Sequence, residues 1–598
     1  MNKNRNTKNQ RPRGRKRPQS KRDEYSSDEK FETKDLKDDL KKKKFGSGTA
    51  KVDANFNDVS WYSQNTQMLN DSASFSYNSP LGTKYGADKI WRPTMYAGTI
   101  NPPVDFELSA SSSSVPGVIT MDIALTPGLS KDHNSPINLA AQNIYYYVRY
   151  NNSGAANYEP VDLMLYMFAL DSIYSCWNFY KRAYGLLRVY DQTNWYLPRK
   201  LLEGQGFDVD DLMNNISDFR LFLNTMAAKI TSFCVPAVMP IFVRHSWMFS
   251  NIWADSANQK AQMYQFVPLY FYQYSETGSE TGGSLAPVQW MEWKTDPDGI
   301  LNHEVPVTSR KFSDCQAYLQ NLINAVMLSE DIGNMSGDIL KAYGQEKLFK
   351  LSPVDPDYVV NPVYEEEVLN QIHNATIVVG MSQGTQVANY TISQNPNNGM
   401  LSFSPSIPDN IIFNSPSKEG TILNMPWSNV TPANTMVGSR LACTYLAQRS
   451  NTQTVLTITA CGTEIVHAAH IGFNNYTSNN FAKWYSFRTA HANSYPMNLS
   501  STATVAELQN QLNYAWRIQL QSLAVATLLS NFDWAPMSFM ISISEQTKDG
   551  DTNPTVETRI SGVLADMANY TVISDTDLEQ MHLTAIMSEF NIPQIGSF

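Results

Sequence analysis

Apolar residues occupy nearly every position of one stretch, PVDLMLYMFALDSIYSCWNFYKRAY, which runs from Pro160 to Tyr184. Pro160 suits the first turn of a helix, where its missing N–H costs nothing, and Gly185 suits the position just past the helix end. Because a helix that is apolar on nearly every face must be buried all round, we predict a central core helix here. A membrane span is the alternative, but Asp162 and Asp171 interrupt a run that would need about 20 mostly apolar residues.

Further helices are predicted where apolar residues recur at a spacing of three to four. They run from Ser135-Pro136 through Tyr147, from 208 to 234 as one amphipathic helix of about seven turns, from 312 to 326, from 504 to 528 and from 574 to 590. The apolar run 237–248 contains Pro240 and predicts a buried strand or a short helix. Residues 351–366 contain three prolines and predict no regular element.

Strands are predicted at Val118–Leu125, around Phe75 and Tyr77, and over 537–544, whereas 274–304 is predicted to be a loop region. The composition changes near Ala375, because residues 376–500 hold only eight charged side chains and many turn-forming residues. Short β-rich runs at 376–379, 411–413, 454–458 and 465–467 indicate a β-rich domain, inserted into the helical part and placed outside it.

The sequence therefore predicts an α+β protein with a mainly helical domain, an inserted β-rich domain and a disordered basic N-terminal arm. We place the arm and its linker at 1–52, the helical domain at 53–375 and 501–598, and the β-rich domain at 376–500. Since helical character returns after the β-rich segment, the first and last parts are expected to share one core.

Charge is divided unevenly along the chain, whose net charge is −10. The first 44 residues carry 17 basic and eight acidic side chains, a net charge of +9, so the remainder carries −19. Residues 1–22 contain no acidic and, after Met1, no large apolar side chain, so nothing offsets the entropy of ordering them. A basic arm on an acidic body indicates contact with nucleic acid.

The candidate RNA-binding residues are the ten basic side chains of this arm, and the contact is expected to be independent of RNA sequence. They are Lys3, Arg5, Lys8, Arg11, Arg13, Arg15, Lys16, Arg17, Lys21 and Arg22. A nuclear-localisation signal and a solvated tail are the alternative interpretations of the same residues.

Catalytic motifs are not evident in the sequence. It contains no GxxxxGK[ST] phosphate loop, no GxGxxG after a strand, no HExxH and no GxSxG. His467-x-x-His470, with His491 further on, is a weak metal candidate because no cysteine or carboxylate cluster completes it. Asp171 is expected to be hydrogen-bonded in the core or at an interface, and the five scattered cysteines to be buried free thiols. We expect no enzyme, no metal, no cofactor and no small-molecule substrate.

Several stretches resemble the picobirnavirus capsid proteins. They are Ser60–Gly82, Asn151–Met164 (NNSGAANYEPVDLM), Val235–Trp247 (VPAVMPIFVRHSW), Asp331–Tyr343 (DIGNMSGDILKAY) and Asp577–Phe598. The resemblance implies a small icosahedral, non-enveloped shell built from dimers around double-stranded RNA. It also implies that the mainly helical domain is a shell domain, that the inserted β-rich domain is a protruding domain, and that an N-terminal peptide is removed after assembly.

The partners expected from the sequence are therefore further copies of the chain and viral RNA, in a virion assembled in the host cytoplasm. The apolar run 237–248 suggests a transient membrane contact during entry. Trp177, Trp195, Trp247 and Trp253 are candidates for apolar surface that neighbouring copies hide. A non-viral RNA-binding adaptor with a β-rich recognition module is the alternative function.

Overall fold

The fold is known from a computed structural model, which describes most of the chain after residue 56. The described residues are 57–74, 117–152, 154, 157–189, 197–256, 261–275, 283–298, 301–379, 387–395, 397–409, 421–449, 454–472, 484–494, 525, 528–529, 531–546, 555–565 and 567–592. The predictions for the arm and linker, for Phe75 and Tyr77, for Trp195, for 411–413 and for most of 504–528 lie outside them.

Helices make up much of the first half of the chain. They are α1 (Thr66–Ala73), α2 (Pro136–Asn151), α3 (Pro160–Leu187), α4 (Leu197–Gly204), α5 (Val209–Asn214), α6 (Ile216–Ile230), α7 (Pro240–Ser250), α8 (Phe312–Met327), α9 (Glu330–Tyr343), α10 (Glu366–His373), α11 (Pro432–Gly438) and α12 (Asp575–Glu589). The predictions of α2, α8 and α12 are confirmed to within a few residues.

The central helix α3 is buried on all sides, as its sequence predicts, with every residue from Leu163 to Leu187 buried. It is three residues longer than expected, because Gly185 lies inside the helix and does not end it. A Cβ built on Gly185 would come within 2.6 Å of the Val360 side chain and 3.0 Å of the Val360 backbone nitrogen. Glycine at this position therefore allows the helix to lie close to the segment that contains Val360.

The predicted seven-turn helix over 208–234 is divided into α5 and α6. Asp208 caps the first of them by accepting a hydrogen bond from the Asp211 N–H. The break falls at Asn215, whose side-chain amide donates to the Asp211 carbonyl at 2.8 Å and so competes with the backbone for that acceptor. Periodicity alone does not show this competition.

The run 237–248 contains the helix α7, which begins at Pro240. Proline suits this position because the first helical residues have no intrahelical partner for their N–H groups. Its apolar side chains Ile241, Phe242, Trp247, Met248 and Phe249 are buried. Among the described helices, none is both long enough and apolar enough to cross a bilayer.

The strands are short and form several sheets. They are β1 (Val118–Leu125), β2 (Trp253–Ala254), β3 (Met263–Pro268), β4 (Tyr270–Ser275), β5 (Ser284–Gln289), β6 (Trp293–Asp298), β7 (Leu301–Pro306), β8 (Ile392–Gln394), β9 (Leu401–Ser402), β10 (Ser406–Asp409), β11 (Thr421–Met425), β12 (Thr444–Arg449), β13 (Thr454–Ala460), β14 (Glu464–Gly472), β15 (Trp484–Phe487), β16 (Ala490–Ser494), β17 (Ser538–Gln546), β18 (Thr555–Leu564) and β19 (Asn569–Ile573). The predicted strands β1, β13, β14 and β17 are confirmed.

The largest sheet has seven strands in the order β2-β3-β1-β14-β15-β7-β6. Strand β14 runs antiparallel to β1 along its whole length, from the pair Val118–Gly472 to the pair Leu125–Glu464. Strands β14 and β15 of the segment 376–500 therefore belong to a sheet shared with the first part of the chain, and β8 and β9 likewise form a sheet with β4 and β5. Composition does not predict this pairing, because it does not reveal which distant strand a segment pairs with.

The expectation of a loop region over 274–304 is wrong, because β5, β6 and β7 lie there. Each of these strands contains a proline, and Pro306 is the last residue of β7. Pro287 lies in a part of β5 that pairs with β4 alone, and Pro297 lies in β6, the edge strand of its sheet. Proline is tolerated at such positions because no ladder hydrogen bond is lost on the open side. Residues 351–366 form no helix or strand except the first residue of α10, as expected.

The tryptophans proposed as interface residues are buried within the single chain. Trp177, Trp247 and Trp253 have 1% or less of their surface exposed, and the Trp247 and Trp253 rings pack edge to face at 5.3 Å. The expectation that neighbouring copies hide these side chains is therefore wrong, since the chain's own core hides them.

A buried charge network and the candidate RNA-binding arm

Four elements bring charged side chains together in the middle of the core. Asp171 lies in α3, Arg244 in α7, Glu464 at the start of β14 and Glu589 at the end of α12. All four are 2% exposed or less. Because an isolated buried charge is very costly, groups in such a place must neutralise one another.

Arg244 and Glu464 form the centre of this network. The Arg244 Nε and Nη2 atoms donate to the two Glu464 carboxylate oxygens at 2.7 and 2.9 Å, the bidentate geometry that a guanidinium favours. Burial opposes the charge of Glu464, but Arg244 and His245 together hold the pKa of this carboxyl well below its usual range. Glu464 is therefore ionised at neutral pH.

His245 connects this pair to the central helix. Its Nδ1 lies 2.6 Å from Asp171 Oδ2 and its Nε2 lies 2.9 Å from Glu464 Oε1. Burial opposes a charge on the imidazole, but the two carboxylates outweigh it and raise the pKa of His245 to about 10. The histidine is a cation that joins α3, α7 and β14. The prediction that Asp171 is hydrogen-bonded in the core is confirmed.

Arg440 connects the C-terminal helix to the same network. Its Nη2 donates to Glu589 Oε1 at 3.1 Å, and its Nη1 lies 3.3 Å from His582 Nδ1. The His582 Nε2 atom donates to the Ala442 carbonyl at 2.8 Å, so Nδ1 is free to accept from Arg440. Burial, together with the charge of Arg440, lowers the pKa of His582 to about 3 and keeps this ring neutral.

An aromatic ring and a threonine complete the network. The guanidinium carbons of Arg244 and Arg440 lie 4.7 and 5.2 Å from the centre of the Tyr62 ring, within reach of a cation–π interaction. The Thr463 hydroxyl lies within hydrogen-bonding distance of both Glu464 and Glu589, at 2.9 and 3.0 Å. Residues from both ends of the described chain therefore meet at one point.

Sequence reasoning named only Asp171 among these residues. The charged residues among the others could have been singled out, because each lies in a stretch of sequence with few other charges. Arg244 and His245 interrupt an otherwise apolar run, and Arg440 and Glu464 are two of the eight charged residues in 376–500. Which charge pairs with which could not be predicted, because the partners are far apart in the chain.

The histidines of the metal candidate do not share a site. Tyr390 Oη lies 2.7 Å from His467 Nδ1, and burial lowers the pKa of His467 to about 4. His470 lies instead between Glu304, 2.7 Å from its Nδ1, and Asp122, 3.3 Å from its Nε2. The side chain of His491 lies outside the described residues. Within the described ranges, no group of three or more His, Cys, Asp or Glu side chains could hold a metal ion.

The His470 cluster fixes a strand pair to the large sheet. The Trp293 ring stacks on the His470 ring at 3.8 Å, and its Nε1 donates to Asp122 Oδ2 at 2.9 Å. The hairpin of β6 and β7 otherwise joins the sheet through one residue pair, Trp484 with Glu304. All five cysteines are free and buried, as predicted.

The ten candidate RNA-binding residues, from Lys3 to Arg22, all lie outside the described residues. The charged clusters of the core join helices and strands that are far apart in the sequence.

Comparison with known proteins gives the family. The family model described as the capsid protein of picobirnaviruses matches residues 61–543. The chain therefore belongs to the picobirnavirus capsid protein family, and the resemblance inferred from sequence is confirmed. As a capsid protein, it is a component of the virion shell.

Two relatives illustrate the similarity. The chain is 29% identical over 571 residues to a capsid protein precursor of human picobirnavirus (strain Human/Thailand/Hy005102/-), a match that covers 92% of this chain and 93% of the relative. It also resembles the crystal structure of the picobirnavirus capsid, with a TM-score of 0.62 and 22% identity over 90% of this chain and 99% of that one. At this identity the structural match shows a shared fold.

Proposed function

We propose that the chain assembles through dimers into an icosahedral, non-enveloped shell that encloses double-stranded RNA, with the arm 1–22 in contact with the genome. The observation that carries the RNA contact is the charge distribution. Ten basic side chains lie in the first 22 residues, while the chain after residue 44 has a net charge of −19. An acidic body repels phosphate, so attraction must come from the arm.

The arm suits a contact that does not depend on base sequence. Its basic residues alternate with Pro, Gly, Asn and Gln, so an extended strand can follow a phosphate backbone. Each phosphate that is neutralised releases counterions, with a slope of log K against log salt of about −0.7 to −0.9 per contact. Ten contacts would give a total slope of about −7 to −9.

The test compares three forms of the full chain. One is the unmodified protein, one has all ten basic residues of 1–22 replaced by glutamine, and one has the order of residues 2–22 scrambled at constant composition. Assembly is followed by electron microscopy, and the RNA content of purified shells by absorbance and extraction. We expect shells from all three, with RNA lost in the glutamine form and retained in the scrambled form.

Three results would contradict the proposal. Unchanged RNA content in the glutamine form would show that the arm is not the RNA contact. Loss of RNA in the scrambled form would show that the contact depends on arm sequence. Failure of the unmodified protein to form closed shells, over a range of pH and salt, would contradict the shell itself.

The protruding domain, in this proposal, includes the three-stranded sheet β10-β13-β12. Among the described residues, its strands pair only with one another. Exposure of residues 444–449 on intact shells is tested by limited proteolysis of a variant with a protease site inserted after Arg449. Protection in intact shells together with cleavage in dissociated subunits would contradict it.

Assembly in the host cytoplasm and a transient membrane contact during entry are the remaining parts of the proposal. Since the apolar run 237–248 forms the buried helix α7, a membrane contact made by this run would require α7 to leave the core. The family assignment excludes the alternative of a non-viral adaptor.

A further inference from the structure

Helix α9 has one face in the core and one face that the described chain leaves uncovered. Ile332, Met335, Ser336 and Ile339 are buried. The exposed positions are Glu330, Gly333, Asn334, Gly337, Leu340 and Lys341. Apart from the neighbouring residues and the helix's own backbone, no described atom lies within 4 Å of a Cβ built on Gly333 or Gly337. These glycines therefore allow no close contact within the described part of the chain, although each weakens the helix by about 1 kcal/mol relative to alanine.

We propose that the outer face of α9 contacts the same face of α9 in a second copy of the chain. The two helices are antiparallel, and the two-fold axis between them lies at the level of Met335 and Ser336 along the helix. The inference rests on the shell assembly of the proposed function, in which each copy must contact other copies. Three features of α9 favour this partner: its charges, its exposed leucines and its glycines.

The charges of α9 are complementary to themselves when the helix is reversed. Its first turn is acidic, with Glu330 and Asp331, and its last turn is basic, with Lys341. In an antiparallel pair with its two-fold axis at the level of Met335 and Ser336, Glu330 of one copy lies level with the partner's Lys341. The two-fold axis repeats this pair, so each contact forms twice, as in an isologous interface.

The exposed leucines are arranged in the same way. Leu328, just before the helix, is 84% exposed and Leu340, near its end, is 41% exposed. With a rise of 1.5 Å per residue, Leu328 of one copy comes within about 4.5 Å, along the helix axis, of the level of the partner's Leu340. Apolar surface at one end would therefore cover apolar surface at the other.

The glycines provide clearance at the centre of the pair. In this arrangement Gly333 lies within about 1.5 Å, along the helix axis, of the level of the partner's Gly337, and neither carries a side chain that would hold the backbones apart. The contact is small, because a helix of 14 residues is about 21 Å long and a stable interface buries roughly 800 Å² per partner. We therefore expect the contact to strengthen a shell that has other interfaces.

An acidic first turn and a basic last turn also stabilise an isolated helix through its dipole, so a matched control is required. Helix α6 supplies it, because Asp218 lies in its first turn and Lys229 in its last, and both are exposed. Substitutions there change the net charge and the helix dipole as the α9 substitutions do.

The first experiment reverses charges in the full chain. Glu330→Lys and Lys341→Glu are made singly and together, and the two single variants are also mixed in equal amounts. The shell fraction is measured by sedimentation at low salt. We expect a roughly tenfold weaker assembly for each single variant, which corresponds to about 1.4 kcal/mol. The double variant and the mixture should recover, because each restores opposite charges across the axis.

The outcomes separate this inference from the proposed function. If the unmodified chain assembles and the single variants assemble equally well, the α9 contact is contradicted while the shell stands. Failure of the double variant and of the mixture to recover would also contradict it, as would equal losses from Asp218→Lys and Lys229→Glu. If the unmodified chain does not assemble, the proposed function itself fails.

A second experiment tests the space at the centre of the pair without changing charge. Gly337→Leu places a large side chain where the structure has open room, so the melting temperature of the unassembled subunit should not fall. Assembly should fall, because the added side chain separates the two backbones. Normal assembly of this variant would contradict the antiparallel contact.

Discussion

Arg244 and Glu464 form two parallel hydrogen bonds in the core, although 220 residues separate them in the sequence. Neither side chain is exposed to solvent. The pair holds α7 against the start of β14, and His245 extends it to Asp171 in the central helix. The position of β14 in the large sheet therefore depends on a side-chain contact as well as on backbone pairing.

Glu464→Gln should destabilise the subunit strongly. Removing one partner of a buried pair leaves the other charge without compensation, and the usual cost is about 3–5 kcal/mol. The free energy of unfolding is measured by guanidinium denaturation of the unassembled subunit. Asp210→Asn is the matched control, since Asp210 pairs with Arg199 at 2.6 Å on the surface with 74% of its side chain exposed. Its effect should stay below about 1 kcal/mol, and equal losses in the two variants would contradict the role of burial.

Gly185→Ala should destabilise the subunit even though alanine favours a helix. The added Cβ would lie 3.0 Å from the Val360 backbone nitrogen, and overpacking of this kind costs about 1–3 kcal/mol. Gly333→Ala is the control within another helix, where the Cβ meets no atom. That variant should gain up to about 1 kcal/mol. The comparison is made by thermal unfolding, and a gain in both variants would show that Val360 moves aside easily.

Stability should fall as the pH rises from about 6.5 to about 9. Burial opposes a charge on His470, but Glu304 and Asp122 outweigh it and raise the pKa of His470 from 6.5 to about 9. The folded state therefore holds a proton that the unfolded chain releases above pH 6.5. The resulting stabilisation is complete below pH 6.5 and is lost as the pH rises through 9.

The pH dependence is checked by unfolding the unassembled subunit at several values from pH 6 to pH 9.5. His470→Gln should flatten the slope over this range. His245 contributes a loss of stability in the same direction, with its pKa raised to about 10, so some slope should remain. If the His470→Gln variant has the same slope as the unmodified protein, the assignment of this pH dependence to His470 is contradicted.

The sequence by itself determined those helices and strands that depend only on residues close together in the chain. Helix α3 follows from continuous apolar character, α12 from its start at Ser574 and its apolar spacing, and β1 from a run of β-favouring residues. The arm's chemistry also follows from sequence alone, because charge and composition need no partner to be recognised. These features depend on neighbouring residues or on simple counts.

Only the tertiary structure decided how distant segments meet. It places β14 beside β1, Glu464 beside Arg244, and Gly185 inside a helix against Val360. In each case the deciding interaction joins residues far apart in the chain, and the sequence signal, an isolated charge or a single glycine, is compatible with many partners. Burial limits the choice of partner. A charged side chain or a glycine in the core is stable only when one particular partner lies beside it.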